Sequence, residues 1–120
     1  MTDQPTSARP VGPYTPAVRA GDWLVCSGQV PLRDGNLVEA IPAATAQCVS
    51  NLRALLEEHG ARLDQVVKTT VFLTDMADYP EMNEAYVEAF GGHRPARSAV
   101  AVSALPLGAR VEIEAWAWLG

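Results

Sequence analysis

Residues 110–119 read RVEIEAWAWL and alternate without a break. Val111, Ile113, Ala115 and Ala117 fall on one side of an extended chain, and Arg110, Glu112, Glu114, Trp116 and Trp118 on the other. A period of two held over ten residues fits a strand and excludes a helix, whose period is 3.6. It also demands a sheet with two unlike faces. One face is small and apolar and can lie beneath packed helices. The other mixes tryptophan with charge, and left open to water it would be an apolar patch of the kind that marks an interface.

The helices that this strand requires are visible upstream. Val49, Leu52, Leu55 and Leu56 recur at helical spacing within 42–59, with Pro42 in the first turn and Gly60 placed to end the segment. A second helix opens at Asp78 or Tyr79 before Pro80 and stops at Gly91-Gly92. Between them, the β-branched run QVVKTTVFL (65–73) predicts a buried strand. YTPAV and WLVCSGQV flank RAGD as a hairpin, and Asp34-Gly35 marks a further turn. Strands at 97–104 and 110–119 complete the order β-β-α-β-α-β-β. Strand-helix-strand units need crossovers, so the expected fold is α+β, with parallel neighbours in a mixed sheet and both helices on one face.

At 120 residues, 48% hydrophobic and 19% charged, the chain supports one globular domain, expected over 11–120 behind a flexible N-terminal tail at 1–10. The net charge of −5 argues against a nucleic-acid partner, which would favour a basic face. No apolar run is long enough to span a membrane, and the first ten residues lack the apolar core of a secretory signal. The expected setting is cytoplasmic, with Cys26 and Cys48 as free thiols. His59 and His93 are isolated and lack metal-ligand spacing, so no metal is expected. There is no phosphate-binding glycine loop and no GxSxG elbow.

One residue stands out in the strand at 97–104. Arg97 opens an otherwise small and apolar segment, PARSAVAVSALP, with no acid within several residues. A guanidinium forms a bidentate fork with a carboxylate, which is either Glu112 or Glu114 in a structural ion pair or a substrate. Parity places Val100, Val102 and Ala104 on one face of this strand and Arg97, Ala99, Ala101 and Ser103 on the other. The expectation is that Arg97 shares the helix-free face with Glu112.

GPYTPAV, CSGQVP, VVKTTVFLTDM, MNEAY, RPARSAVAV and VEIEAWA, in this order from Gly12 to Ala117, resemble the successive signatures of the RidA/YjgF family of reactive intermediate deaminases. The resemblance implies a chorismate-mutase-like fold and a homotrimer with a central barrel and intersubunit sites. It implies hydrolysis of enamines and imines, such as 2-aminoacrylate and 2-iminobutanoate, to 2-oxo acids and ammonia, without cofactor. Arg97 then corresponds to the arginine that binds the substrate carboxylate. Glu112 corresponds to the glutamate that handles water and protons, with Glu114 at the same parity. Tyr14 matches an aromatic lid, Ser27 a pocket serine and Asn83 a pocket asparagine. Some members carry cysteine two positions after the arginine. Here it is Ala99, which removes thiol chemistry and leaves carboxylate binding and water attack intact. Two alternatives stand beside this reading: a relative tuned to a different, pathway-specific imine, and a trimer that binds small metabolites without turnover. Ribonuclease activity reported in the family fits this acidic chain poorly.

Overall fold

A computed structural model of the chain describes Pro10 and residues 12–120. The expected tail at 1–10 lies outside the described residues apart from Pro10. Strands β1 (Ala17–Ala20) and β2 (Trp23–Gln29) form the first hairpin. A minor hairpin, β3 (Leu32–Arg33) and β4 (Asn36–Leu37), turns through Asp34 and Gly35, both at positive φ (53° and 81°). Helix α1 runs Ile41–Glu58, β5 Val66–Leu73, α2 Tyr79–Phe90, β6 Ala96–Ala101 and β7 Val111–Trp118.

Helix α1 ends where its sequence says it must. Gly60 takes the left-handed conformation (φ 73°), the Gly60 amide donates to Glu57 O, and the Ala61 amide returns to Leu56 O. That pair of bonds is a Schellman cap, and it satisfies carbonyls the helix would otherwise leave open.

The main sheet runs β1-β2-β7-β5-β6. β7 lies in the middle, antiparallel to both β2 and β5, while β5 and β6 pair in parallel with α2 as their crossover. The expectation of parallel neighbours therefore holds for one crossover. The other, through α1, joins β2 to β5 with β7 inserted between them. The inward positions of β7 are sealed: Val111, Ile113, Ala115 and Ala117 are all fully buried. They meet Leu52, Leu55, Leu56, Cys48 and Met82 in one core. Cys48 and Cys26 are both buried free thiols. Burial pushes the Cys26 thiol up to about 11 and the Cys48 thiol further, as expected for packing residues rather than nucleophiles.

The opposite face of the sheet stays open. Trp116 and Trp118 are exposed, and Trp23 joins them edge-on, with ring centroids 5.9 and 4.9 Å away. Val18 and Val100 are exposed as well.

Candidate active site

The candidate residues gather in two groups. The first forms around a β-bulge. Cys26 pairs with Ala115 but Gln29 pairs with Ile113, so β2 advances three residues while β7 advances two. Such a bulge bends the strand and re-aims its side chains. Ser27 and Gly28 occupy it. The Ser27 amide donates to Pro16 O and its hydroxyl to Thr15 O, each at 2.8 Å, which clamps the segment carrying Tyr14 against the bulge. Tyr14 itself is exposed. The Glu112 side chain lies directly over Gly28, so close that a β-carbon at position 28 would come within 2.7 Å of its carboxyl.

Glu112 is half-buried on the open face, paired with Phe72 across the ladder. Burial holds its carboxyl above the usual range, and the charge of Glu114 adds to this. Glu114 shares the face, opposite Thr70 in the ladder, and it is Glu112 whose carboxyl lies against Gly28 at the bulge. A carboxyl whose charged form is disfavoured is better able to accept and return a proton near neutrality.

The second group surrounds Arg97. Its Nη2 donates to Tyr79 Oη at 2.9 Å and its Nη1 to Met82 Sδ at 3.8 Å. The guanidinium carbon sits 4.9 Å from the Tyr86 ring centroid and 5.5 Å from that of Tyr79. The ion pair with Glu112 or Glu114 is not formed, and among the described residues no carboxylate pairs with Arg97. Asn83 lies one turn beyond Tyr79 on α2, and its Oδ1 is buried without a hydrogen-bond partner. A buried, unsatisfied acceptor costs free energy unless something supplies a donor.

One expectation needs correction. Arg97 and Glu112 do not share a face. Arg97 pairs in register with Thr69, which is fully buried and bonded through Oγ1 to Tyr86 Oη at 2.6 Å. Arg97 therefore points toward α2, with Ala99 beside buried Val71, while Val100 lies exposed on the other side. Glu112 points away from the helices. The reason is that β6 is an edge strand of small residues, whose alternation marks two faces without saying which is inner. A slip of one residue exchanges them.

Within one chain the two groups thus stay apart, on opposite sides of the sheet. Two surface concavities, about 530 Å³ between α1 and α2 and about 450 Å³ beside Arg62 and Arg94, contain none of the candidate residues. The aromatic surround of Arg97 was missed in sequence. Its signal was Tyr79, Met82 and Tyr86 at i, i+3 and i+7, one stripe of a helix that follows a buried strand.

The sequence profile described as Endoribonuclease L-PSP matches residues 5–119. A RutC family protein of Pyrococcus horikoshii is 45% identical over 113 residues, covering 92% of this chain and 90% of that protein. The chain belongs to the RidA/YjgF family. A 2-iminobutanoate/2-iminopropanoate deaminase of Dermatophagoides farinae is 38% identical over 92% of this chain and 88% of its own length. The crystal structure of RidA from the Antarctic bacterium Psychrobacter superposes with a TM-score of 0.88 at 38% identity, covering 98% of this chain and 96% of that one. The RidA-type α+β fold is that of this chain, and among the described residues no helix is long and apolar enough to cross a membrane.

Proposed function

We propose that the chain is a hydrolytic deaminase of small 2-imino and enamino acids, acting in sites assembled between copies of a homotrimer. The observation that carries this reading is Arg97: a guanidinium fixed by aromatic side chains, with its charge uncompensated by any carboxylate among the described residues. A 2-imino acid supplies that carboxylate. The name of the mite relative, a 2-iminobutanoate/2-iminopropanoate deaminase, supports the same substrate class.

In this reading Arg97 holds the carboxylate as a fork. Glu112 takes a proton from a water that adds to the C=N carbon, giving a carbinolamine. The carboxyl passes that proton to the imine nitrogen to complete the carbinolamine. It then takes the hydroxyl proton and delivers it to the same nitrogen as the C–N bond breaks and the C=O bond forms, releasing 2-oxo acid and ammonia. Asn83 Oδ1 accepts an N–H of the substrate, which satisfies its buried lone pairs. Ser27 holds the Tyr14 segment in place, and Tyr14 covers the pocket. Because Arg97 and Glu112 occupy opposite faces, one copy supplies the arginine and a second the glutamate. The apolar open face, with Trp23, Trp116 and Trp118, favours such association. No cofactor enters this sequence. A polyanionic RNA substrate, which the word endoribonuclease suggests, fits poorly with a net charge of −5. A cytoplasmic setting goes with two unpaired buried cysteines, and cell fractionation tests it.

The test is release of 2-oxobutanoate from 2-iminobutanoate generated in situ by a threonine dehydratase. Wild type should accelerate it. Arg97→Ala should lower kcat/KM by about 10–100-fold, the equivalent of a lost charge-assisted hydrogen-bond pair. A folded wild type that gives no acceleration, yet binds 2-oxobutanoate, would leave a metabolite-binding trimer.

A further inference from the structure

Arg97 rises from an edge strand, where a long side chain ordinarily samples many rotamers and loses that freedom when it is fixed. Here it is already fixed. We infer that Tyr79 is the positioning residue that orients the Arg97 guanidinium for an incoming carboxylate without neutralising it, an inference that rests on the substrate class proposed above.

The bonds around the guanidinium divide the labour. Tyr86 offers only its ring, because its hydroxyl is engaged by Thr69. Met82 offers a sulfur, a weak acceptor at long range. Tyr79 Oη is the one oxygen that accepts from Arg97 among the described residues, and its ring also lies against the guanidinium. The acceptor is neutral. A carboxylate in its place would compete with the substrate for the same fork. Of the five N–H groups of the guanidinium, two are engaged, which leaves enough for a bidentate ligand.

Tyr79 is itself held. It opens α2 directly after Asp78, which is buried and accepts from Arg110 Nη2 at 2.9 Å. Arg110 also reaches Glu39 O at 3.3 Å. The start of α2 is thereby tied to the start of β7 and to the segment entering α1. The phenolic oxygen has a defined place before any ligand arrives, and the ordering of Arg97 is not charged to ligand binding.

The experiment measures 2-oxobutanoate binding by calorimetry and imine turnover for wild type, Tyr79→Phe and Tyr79→Glu. The Phe variant keeps the ring and drops the hydroxyl. Its Kd and KM should rise about fivefold with kcat within about twofold, since the interaction is made in both ground and transition states. Tyr79→Glu should pair with Arg97 and abolish binding while its melting temperature holds. Equal Kd for wild type and Tyr79→Phe overturns the inference and leaves the deaminase reading to stand on wild-type turnover. Absent wild-type turnover, with binding still weaker in the Phe variant, overturns the deaminase reading and keeps the role of Tyr79. Absence of wild-type binding overturns the role of Tyr79, and absence of wild-type turnover as well overturns both.

Discussion

A β-carbon at position 28 would stand 2.7 Å from both Cδ and Oε2 of Glu112. These are the far atoms of a flexible side chain, so the fold can absorb a methyl group there by moving the carboxyl. The main chain raises no objection, because Gly28 is not at positive φ. Gly28→Ala should accordingly shift the melting temperature by only a few degrees, about 1 kcal/mol at this chain length. The same change should lower kcat about tenfold or more, because proton transfer depends on hydrogen-bond reach. Parallel thermal melts and turnover assays check both halves, and an unchanged kcat would remove Glu112 from the proton-transfer role. A glycine inside a strand leaves room for another group to come close. That the approaching group is Glu112 depends on the two-for-three register of the bulge, which no local pattern encodes.

Helix α2 and strand β5 meet through a buried polar bond, Thr69 Oγ1 to Tyr86 Oη at 2.6 Å. Thr69 is fully enclosed, and Tyr86 is nearly so. Burial raises the Tyr86 hydroxyl pKa, outweighing the lowering effects of Thr69, Arg97 and Arg94. Tyr86→Phe would keep the ring under Arg97 and strand the Thr69 hydroxyl without a partner. The expected cost is about 1–3 kcal/mol in denaturant unfolding, with KM little changed. A large rise in KM with unaltered stability would mean that the phenol, and not the ring alone, serves the site. The element boundaries themselves were readable: 42–59 against Ile41–Glu58, and 65–73 against Val66–Leu73. Caps, prolines and glycines are local signals, and local signals survive in a sequence. The strand expected at 97–104 ends earlier, at Ala101, where the chain leaves β5 and turns toward Pro106.

At the scale of the whole molecule, the separation of Arg97 from Glu112 makes a prediction that no single-chain site would share. Arg97→Ala and Glu112→Gln should each be nearly inactive alone. Co-refolded in equal amounts, they should regain about a quarter of wild-type turnover, since random mixing gives one contact in four an intact arginine beside an intact glutamate. Light scattering of the same sample should give three times the 12.8 kDa chain mass. Mixed material with no recovered activity would mean that each site draws both residues from one copy.

The alternation of RVEIEAWAWL determined a two-faced strand, and the helical stripes upstream determined what covers its apolar side. These are short-range periodicities, and side-chain direction along one strand or helix follows from backbone geometry alone. The face taken by Arg97 is of another kind. In PARSAVAVSALP both parities are small and apolar, so neither burial nor charge announces an inside. Only the parallel register with β5, which sets Arg97 beside Thr69 and Ala99 beside Val71, turned the guanidinium toward α2 and into the company of Tyr79. Register between strands is a long-range choice, made by the packing of the whole sheet against its helices, and it alone decided that the arginine and the glutamate lie on opposite sides.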